Sequence, residues 1–346
     1  MTYDFFPRIG GIGSLTHTLY GQLRSPDTLF FSPARNSLPG HIRIGCPGIS
    51  TLKQGAVSIW LLFNGAALIS RHRLEKLNIH AGPGGVLYLR KLPIPVIITC
   101  HHTYWQQYTH IGSQFWKRIF LPLERRTYRL ADSIVCDCHD TRKVLIRRYG
   151  ITPEKIGVIQ CAVETERFHP LDEPREPHSL LYVGRISKRK GIDLLIRSIP
   201  LVLKEVPGAR LLVAGKGEQL KKMKELVRKL GLESSVTFLG FVPDGELNRL
   251  YNQAVCAVVP SIFEGFGISV IEALAAGTRV VGTDVDGIRE ILSSGEYGRL
   301  VPYGDTTALA EAMIAELMNP QRAGELRPEY RVELFRQRYD EIFQGK

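Results

Sequence analysis

No stretch of this 346-residue chain is apolar over the roughly 20 residues that a helix needs to cross a bilayer. The nearest, residues 56–70, is interrupted by Ser58, Asn64 and Gly65 and predicts a buried helix. The six cysteines include no C-x-x-C pair of the kind typical of zinc sites, so we expect buried, reduced thiols and no metal. No signal peptide is recognisable, and the length suffices for two hydrophobic cores. We therefore expect a cytoplasmic, two-domain protein.

Acidic residues are scarce in the first half of the chain only. Residues 1–170 hold 21 Lys and Arg against 10 Asp and Glu, whereas residues 171–346 hold 24 of each. Much of the excess lies in residues 115–129, where cations alternate with aromatic and aliphatic residues. Such a segment can rest on an anionic membrane, but it is equally typical of a helix that packs its apolar side in the core. Because no nucleic-acid motif accompanies the charge, we expect no nucleic-acid partner.

Residues 264–272 read E-G-F-G-I-S-V-I-E, with a carboxylate at each end of a glycine turn. They follow a strand-like run at 257–260 and open a helix-like run at 268–276. Backbone amides and the helix dipole make such a junction a site for an anion or a polyol. Glu264 lies in the turn, where it can accept hydrogen bonds from sugar hydroxyls, and Glu272 lies one helical turn later. A capped buried helix with two solvated acids is the alternative.

A second junction carries positive charge. Residues 180–183 predict a strand and residues 192–206 an amphipathic helix, and the turn between them has four cations in six residues. Arg185 and Lys190 lie at its two ends, where they can clamp a diphosphate, although a solvated charged face gives the same pattern. A third turn, residues 214–218, also follows a strand and precedes a helix. All three turns fall at carboxyl ends of strands, the edge where open parallel sheets bind ligands.

These turns, taken in order, resemble those of glycosyltransferase family 4. The resemblance rests on V-G-R at 183–185, K-G at 190–191, G-K-G at 215–217, F-L-G-F-V-P at 238–243, residues 264–272, A-L-A-A-G-T at 273–278 and V-P-Y-G-D at 301–305. It runs from about residue 3 to residue 317 and is most specific in the C-terminal half. It implies an α/β protein of GT-B fold, with two Rossmann-like domains facing a deep interdomain cleft. It also implies a retaining transferase that uses a nucleotide-diphosphate sugar, UDP or GDP, and no metal or other cofactor.

The same resemblance assigns roles to residues. Arg185 and Lys190 would neutralise the leaving nucleoside diphosphate, Glu264 would bind the donor sugar, and Glu272 would bind the ribose. Backbone amides near residues 266–269 would assist, and residues 236–242 would flank the nucleobase. The predicted donor-binding set is Gly11, Gly184, Gly215, Phe241, Phe266, Gly267, Ile268, Ser269 and Glu272.

The N-terminal half predicts alternating strands and helices. Its loop R-I-G-G-I-G at 8–13, with Gly11, matches the family's first glycine turn, but the strand before it is almost absent. We therefore expect the native chain to begin upstream of Met1. The family places a histidine after the strand predicted at 95–100, and His101 matches this position, although the adjacent His102 leaves the register open. Tyr104 and Trp105 follow, either as acceptor-site residues or as core.

We predict an acceptor-binding domain at residues 1–170, a donor-binding domain at 171–325 and a terminal helix at 326–346 that packs back on the first domain. The proline-rich stretch at 168–178 marks the linker. The basic first half favours a lipid-linked or anionic glycan acceptor, as in cell-surface polysaccharide or glycolipid synthesis. Two alternatives are a glycosidase, which needs two carboxylates but no phosphate-binding cations, and a non-catalytic or inactivated nucleotide-sugar-binding protein.

Overall fold

The computed structural model describes residues 1–2, 15–16, 18, 21, 27–33, 38–45, 53–83, 85–111 and 117–344. The chain divides into two compact units. The first unit holds Met1–Ala162 and Val332–Lys346, and the second holds Val163–Arg331. Each unit has its own hydrophobic core, as expected for separate domains.

Parallel strands form the centre of the first unit. They are β1 (Phe30–Ser32), β2 (His41–Arg43), β3 (Leu77–Ala81), β4 (Val96–Cys100), β5 (Ser133–Cys136) and β6 (Ile156–Val158). Strands β3 to β6 form one parallel sheet in chain order, and β1 pairs with β2. The Thr2 amide donates to the Phe31 carbonyl, and the His80 amide donates to the Met1 carbonyl. Met1 and Thr2 therefore lie between β1 and β3; the rest of the predicted first strand lies outside the described residues.

Local signals explain the helices of this unit. These are α1 (Lys53–His72), α2 (Tyr104–His110), α3 (Leu121–Leu130) and α4 (His139–Tyr149). Thr103 and Gln106 form a capping box at the start of α2, which satisfies amides that the first turn leaves unpaired. Helix α4 ends at Gly150, whose left-handed backbone (φ 67°) is readily adopted only by glycine.

Helix α1 corrects one expectation. Residues 56–70 were expected to form a buried helix, but α1 buries only one side, through Val57, Leu61 and Leu68. Ile59 is 59% exposed and Phe63 is 75% exposed. The helix carries apolar side chains on all its faces, but the core covers only one of them. No helix among the described residues has the length and apolarity required to span a membrane.

The second unit is a doubly wound sheet. Its strands are β7 (Ser179–Val183), β8 (Arg210–Ala214), β9 (Val236–Gly240), β10 (Cys256–Val259), β11 (Arg279–Thr283) and β12 (Gly298–Val301), in the order β12-β11-β10-β7-β8-β9. Its helices are α5 (Ile192–Glu205), α6 (Leu220–Lys229), α7 (Asp244–Gln253), α8 (Ile268–Ala275), α9 (Asp286–Leu292) and α10 (Thr306–Met318). All strand pairs are parallel, and the order is that of a dinucleotide-binding Rossmann sheet. The predicted α/β class with two Rossmann-like units is confirmed.

Helical periodicity accounts for the packing of α5. Ile192, Leu195, Ile196, Ile199 and Val202 follow the spacing of one helix face, and all are buried against the sheet. This packing fixes the N-terminus of α5 directly after the basic turn that follows β7. The turn between β7 and α5, at the centre of the sheet, is therefore held in place by this packing.

The C-terminal helix α11 (Val332–Gln344) belongs to the first unit. It starts at Val332, six residues after the predicted start at residue 326, because Pro328–Tyr330 form a separate 3-10 turn. The Tyr339 hydroxyl lies 3.5 Å from the Thr99 hydroxyl on β4, and Arg338 donates to the side chain of Gln160. These contacts attach α11 to the sheet of the first unit.

Candidate functional site

Three loops meet at the carboxyl edge of the sheet in the second unit. The Gly184 amide after β7 donates to the Ala214 carbonyl, and the Ile186 amide donates to the Lys216 carbonyl. A Cβ atom on Gly215 would lie 1.9 Å from the Gly184 carbonyl oxygen, so only glycine allows the two loops to pack this closely. Gly184 and Gly215 thus shape the loops of the predicted donor site through mutual contact.

The basic turn after β7 is held against the loop after β10. Residues Lys188–Lys190 form a 3-10 turn that ends at Gly191, where φ is 63°. A Cβ atom at this position would lie 1.9 Å from the Pro260 carbonyl oxygen. The Ile262 amide also donates to the Arg189 carbonyl at 2.8 Å. The backbone thereby brings the cations of one loop to the carboxylate of the next.

Glu264 is the centre of this junction. Its Oε1 accepts a hydrogen bond from Arg189 Nη1 at 2.9 Å, and its Oε2 accepts one from Lys190 Nζ at 2.6 Å. The Ser261 hydroxyl donates to the same Oε2 at 3.1 Å. The Glu264 side chain is only 11% exposed, so these partners replace much of the water that the carboxylate would otherwise bind.

Burial and charge act in opposite directions here. Burial disfavours the charged carboxylate of Glu264, but Arg189 and Lys190 outweigh that effect and hold its pKa well below the usual range. Burial lowers the pKa of Lys190, Glu264 raises it, and the cations Arg189 and Arg185 lower it further. Arg185 itself is exposed at the other end of the turn. Three cations and one carboxylate therefore leave a positive site, suited to an anionic ligand.

The loop from Glu264 leads into α8, as predicted. Gly267 caps this helix with φ 114° and no side-chain hydrogen bond. Ile268 and Ser269 are half-buried at its first turn, whereas the Phe266 ring is buried and packs on Tyr330. Phe266 can therefore contribute to a ligand site through its backbone only. The helix dipole adds partial positive charge at this terminus.

Glu272 lies one turn into α8 and accepts a hydrogen bond from the Tyr251 hydroxyl at 3.1 Å. Tyr251 is fully buried, and burial followed by the Glu272 charge raises its pKa well above the usual value. Because a neutral tyrosine donates, it fixes one oxygen of Glu272. The half-buried carboxylate stays oriented by the protein.

At a fourth loop, Phe241 is 67% exposed directly after β9. Lys216 lies over its ring, with Nζ 5.7 Å from the centroid. The Gly215 amide donates to the Gly240 carbonyl, and this hydrogen bond joins the loop that carries Phe241 to the loop after β8. An exposed ring at a ligand-binding sheet edge can stack on a planar base.

The first unit carries a buried histidine pair. His101 Nδ1 lies 2.8 Å from Asp137 Oδ2, and His101 Nε2 lies 3.0 Å from His80 Nδ1. His80 is the second-last residue of β3, and His101 and Asp137 directly follow the carboxyl ends of β4 and β5. Burial and the neighbouring His101 lower the pKa of His80 well below its usual value. Both ring nitrogens of His101 thus have protein partners.

Other predicted residues of the first unit have different surroundings. Gly11 lies outside the described residues. His102 is half-buried, and its carbonyl oxygen approaches Gly82 so closely that a Cβ there would lie 2.3 Å away. Tyr104 is buried and its ring stacks on Phe120, which favours the core alternative. Trp105 is half-buried beneath Arg148, whose guanidinium lies 4.6 Å from the ring centroid.

Sequence reasoning gave no role to several residues at these sites. Arg189 was counted in the basic run, but its pairing with Glu264 depends on a contact between residues 75 positions apart. Ser261 and Tyr251 carry no local signal. His80 lies near the carboxyl end of β3 and Asp137 directly follows β5, at the edge where parallel sheets bind ligands, so their positions in the sequence could have identified them. Among residues that the structure describes, no group of three His, Cys, Asp or Glu side chains could hold a metal ion.

Two family models match consecutive parts of the chain. The model of Glycosyltransferase Family 4 matches residues 9–167, and the model of Glycosyl transferases group 1 matches residues 163–331. The second match covers all three loops of the junction described above. The first covers the strands that carry His80, His101 and Asp137.

Individual relatives match shorter segments. An uncharacterized glycosyltransferase of Methanocaldococcus jannaschii is 44% identical over 161 residues, which cover 46% of this chain and 41% of that protein. A phosphatidyl-myo-inositol mannosyltransferase of Mycobacterium leprae is 39% identical over 150 residues, 42% of this chain and 39% of that protein. The matched part thus spans about two fifths of each relative's length.

A solved structure extends the likeness to the fold of nearly the whole chain. Sucrose-phosphate synthase from Thermosynechococcus elongatus superimposes with a TM-score of 0.81 at 21% identity, covering 96% of this chain and 92% of that one. Identity this low supports the fold only. The two family models together match residues 9–331 of the chain that adopts this fold. The chain therefore belongs to the group 1 glycosyltransferases of family 4, and its fold is GT-B.

Proposed function

We propose that this protein moves a hexosyl residue from a nucleotide-diphosphate sugar to a glycan or lipid-linked acceptor, with retention at the anomeric carbon. The carrying observation is the convergence of Arg189, Lys190 and Glu264 at the carboxyl edge of the second sheet. Synthesis of a cell-surface polysaccharide or glycolipid is the proposed setting. A relative named for phosphatidyl-myo-inositol, a lipid, supports a lipid-linked acceptor.

In the proposed reaction, the bond between the anomeric carbon and the diphosphate oxygen breaks. A new bond forms between that carbon and an acceptor hydroxyl, whose proton passes to the departing diphosphate or to solvent. Lys190 and Arg185 neutralise the charge that develops on the diphosphate, with the amides at the start of α8. Because protein cations supply this charge, the proposal requires no bound metal.

The remaining groups would hold the two ends of the donor. Glu264, kept ionised by its cations, accepts hydrogen bonds from the sugar hydroxyls, and Glu272, oriented by Tyr251, accepts those of the ribose. Phe241 stacks on the nucleobase, which leaves UDP and GDP as equal candidates. His101 acts on the sugar or acceptor in this proposal only if it exchanges its contact with His80.

Thermal stabilisation against UDP, GDP, ADP and their sugar conjugates tests the proposal. A ligand at 100 times its dissociation constant adds about 2.7 kcal/mol to the stability of a folded protein. We expect one base to stabilise the wild type, and Lys190→Ala to lose most of that stabilisation and of sugar transfer. Arg197→Ala, which removes an exposed cation from α5, is the matched control and should behave as wild type.

Each other outcome favours an alternative. Nucleotide binding without transfer to any of a range of lipid and glycan acceptors would favour a non-catalytic binding protein. Hydrolysis of a nucleotide-free glycoside would favour a glycosidase. A folded protein that no nucleotide stabilises would contradict the proposed donor site.

We further propose that the first unit contacts an anionic membrane surface from the cytoplasmic side. In the basic segment, Ile119 is 68% exposed and Leu123 is 39% exposed, beside the exposed Arg125, Arg126 and Arg129. The same arginines border a cavity of about 500 Å³ lined by Trp105, Leu121, Pro122, Arg125, Arg126, Arg129, Leu130, Arg148 and Tyr149. Exposed apolar side chains among cations fit the interface of an anionic bilayer. Binding to lipid vesicles tests this contact.

A further inference from the structure

Each of the two cations that contact Glu264 donates to a different oxygen of its carboxylate. Arg189 takes Oε1, and Lys190 takes Oε2 together with the Ser261 hydroxyl. The Lys190 side chain is 16% exposed and the Arg189 side chain is 28% exposed. One carboxylate therefore holds two cations in a largely buried position, and the cluster carries a net positive charge.

The two cations are not equally anchored. Besides Glu264, Arg189 Nη1 donates to the Phe263 carbonyl at 3.1 Å, and the guanidinium lies 5.3 Å from the centroid of the Phe263 ring. Its own carbonyl accepts the Ile262 amide. Lys190 Nζ donates to Glu264 Oε2 at 2.6 Å. Lysine is a compact charge on a flexible stem, whereas arginine holds a fixed planar fork.

A donor diphosphate would place a second anion at this cluster. If Lys190 moved to it and Glu264 had no other cation, a buried carboxylate would remain unpaired, which typically costs several kcal/mol. Arg189 removes that penalty, because it keeps Oε1 neutralised whichever anion Lys190 contacts. Lys190 can therefore leave Glu264 for the diphosphate while Arg189 stays paired with the carboxylate.

We propose that Arg189 is a positioning residue that holds Glu264 neutralised and oriented, so that Lys190 is free to bind the diphosphate of the donor. This inference rests on the proposed function, since it assigns the diphosphate to Lys190. Arg189 acts through Glu264 and Lys190 and does not itself contact the reacting atoms.

The test measures the affinity of the purified full-length protein for whichever of UDP and GDP stabilises the wild type, by calorimetry. Arg189→Gln should weaken binding about tenfold or more, the loss expected for one charge-assisted contact, because Glu264 then retains Lys190. Arg189→Lys should recover most of the affinity. Arg189→Gln combined with Glu264→Gln should bind the nucleotide several-fold more tightly than Arg189→Gln alone, because no carboxylate remains to retain Lys190.

The double variant separates positioning from a purely structural role. If Arg189 only shaped the turn, Arg189→Gln and the double variant would bind equally weakly, and the inference would be wrong. Wild-type affinity in Arg189→Gln alone would also overturn it. Arg197→Gln controls for the loss of one charge, and melting curves confirm that each variant folds. A wild type that binds neither nucleotide would instead refute the proposed function, and the inference with it.

Discussion

At the scale of single residues, Glu124 on α3 is a buried acid whose pKa is raised by folding. It is fully buried and accepts hydrogen bonds from the hydroxyls of Tyr128 and Tyr149 and from the Tyr104 amide. Burial raises its pKa from 4.5 to about 7 despite these donors. Between those pH values the folded protein binds a proton that the unfolded chain releases. Its contribution to stability is therefore full below about pH 4.5 and is lost as the pH rises through 7.

This predicts a pH-dependent effect of Glu124→Gln, which removes the titration. Relative to wild type, the variant should gain up to about 3 kcal/mol in unfolding free energy between pH 4.5 and pH 8. Urea unfolding followed by tryptophan fluorescence reports on the right unit, because all three tryptophans precede residue 162. Glu154→Gln, an exposed acid of the same unit, should follow the wild-type curve. If the unfolding free energies of wild type and Glu124→Gln changed with pH in the same way, the pKa of Glu124 would not be raised by folding.

At the scale of elements, one buried carboxylate ties two strands of the second unit to a helix. Glu316 on α10 accepts hydrogen bonds from Arg279 on β11 at 2.9 Å and from Arg299 on β12 at 2.9 Å. The Glu316 side chain is 3% exposed and that of Arg279 is 11% exposed. Removing one partner of such a pair leaves the other charge buried without compensation.

Glu316→Gln should therefore destabilise the second unit by about 3 kcal/mol. Hydrogen exchange measured by mass spectrometry should show the loss in β11 and α10, with the sheet of the first unit unchanged. Glu311→Gln, an exposed acid on the same helix, is the matched control and should keep wild-type protection. If β11 exchanged equally slowly in both variants, the buried pair would have no net effect on stability.

These elements also show how far sequence predicts structure. Strand–turn–helix periodicity located β7, β8 and β10 and their loops, because apolar spacing and glycine conformation are local properties. Glu264, Lys190 and Arg185 followed from their places in those loops. The partners of Glu264 and Glu316, and the buried state of Glu124 and Tyr104, depend on residues that meet only after folding. The exposed side of α1 was missed because periodicity cannot tell which apolar face the core covers.

At the scale of the whole molecule, charge is distributed very unevenly along the chain. The excess of 11 cations falls within residues 1–170, and residues 171–346 are balanced. Each cation near an anionic lipid surface contributes about 1 kcal/mol of attraction, and salt screens that attraction within about 10 Å at 0.1 M. A contact made by the first unit should therefore be strong at low salt and should weaken steeply as salt rises.

We expect the protein to sediment with phosphatidylglycerol vesicles and not with phosphatidylcholine vesicles, and to be released by salt. Replacing Arg125, Arg126 and Arg129 with glutamine should weaken vesicle binding by about 100-fold, since three charges supply about 3 kcal/mol. The control replaces Lys221, Lys222 and Lys229 in the second unit, which changes net charge equally. Equal weakening by both triple variants would mean that net charge alone drives binding. Equal binding to neutral vesicles would mean that the exposed Ile119 and Leu123 suffice without the arginines.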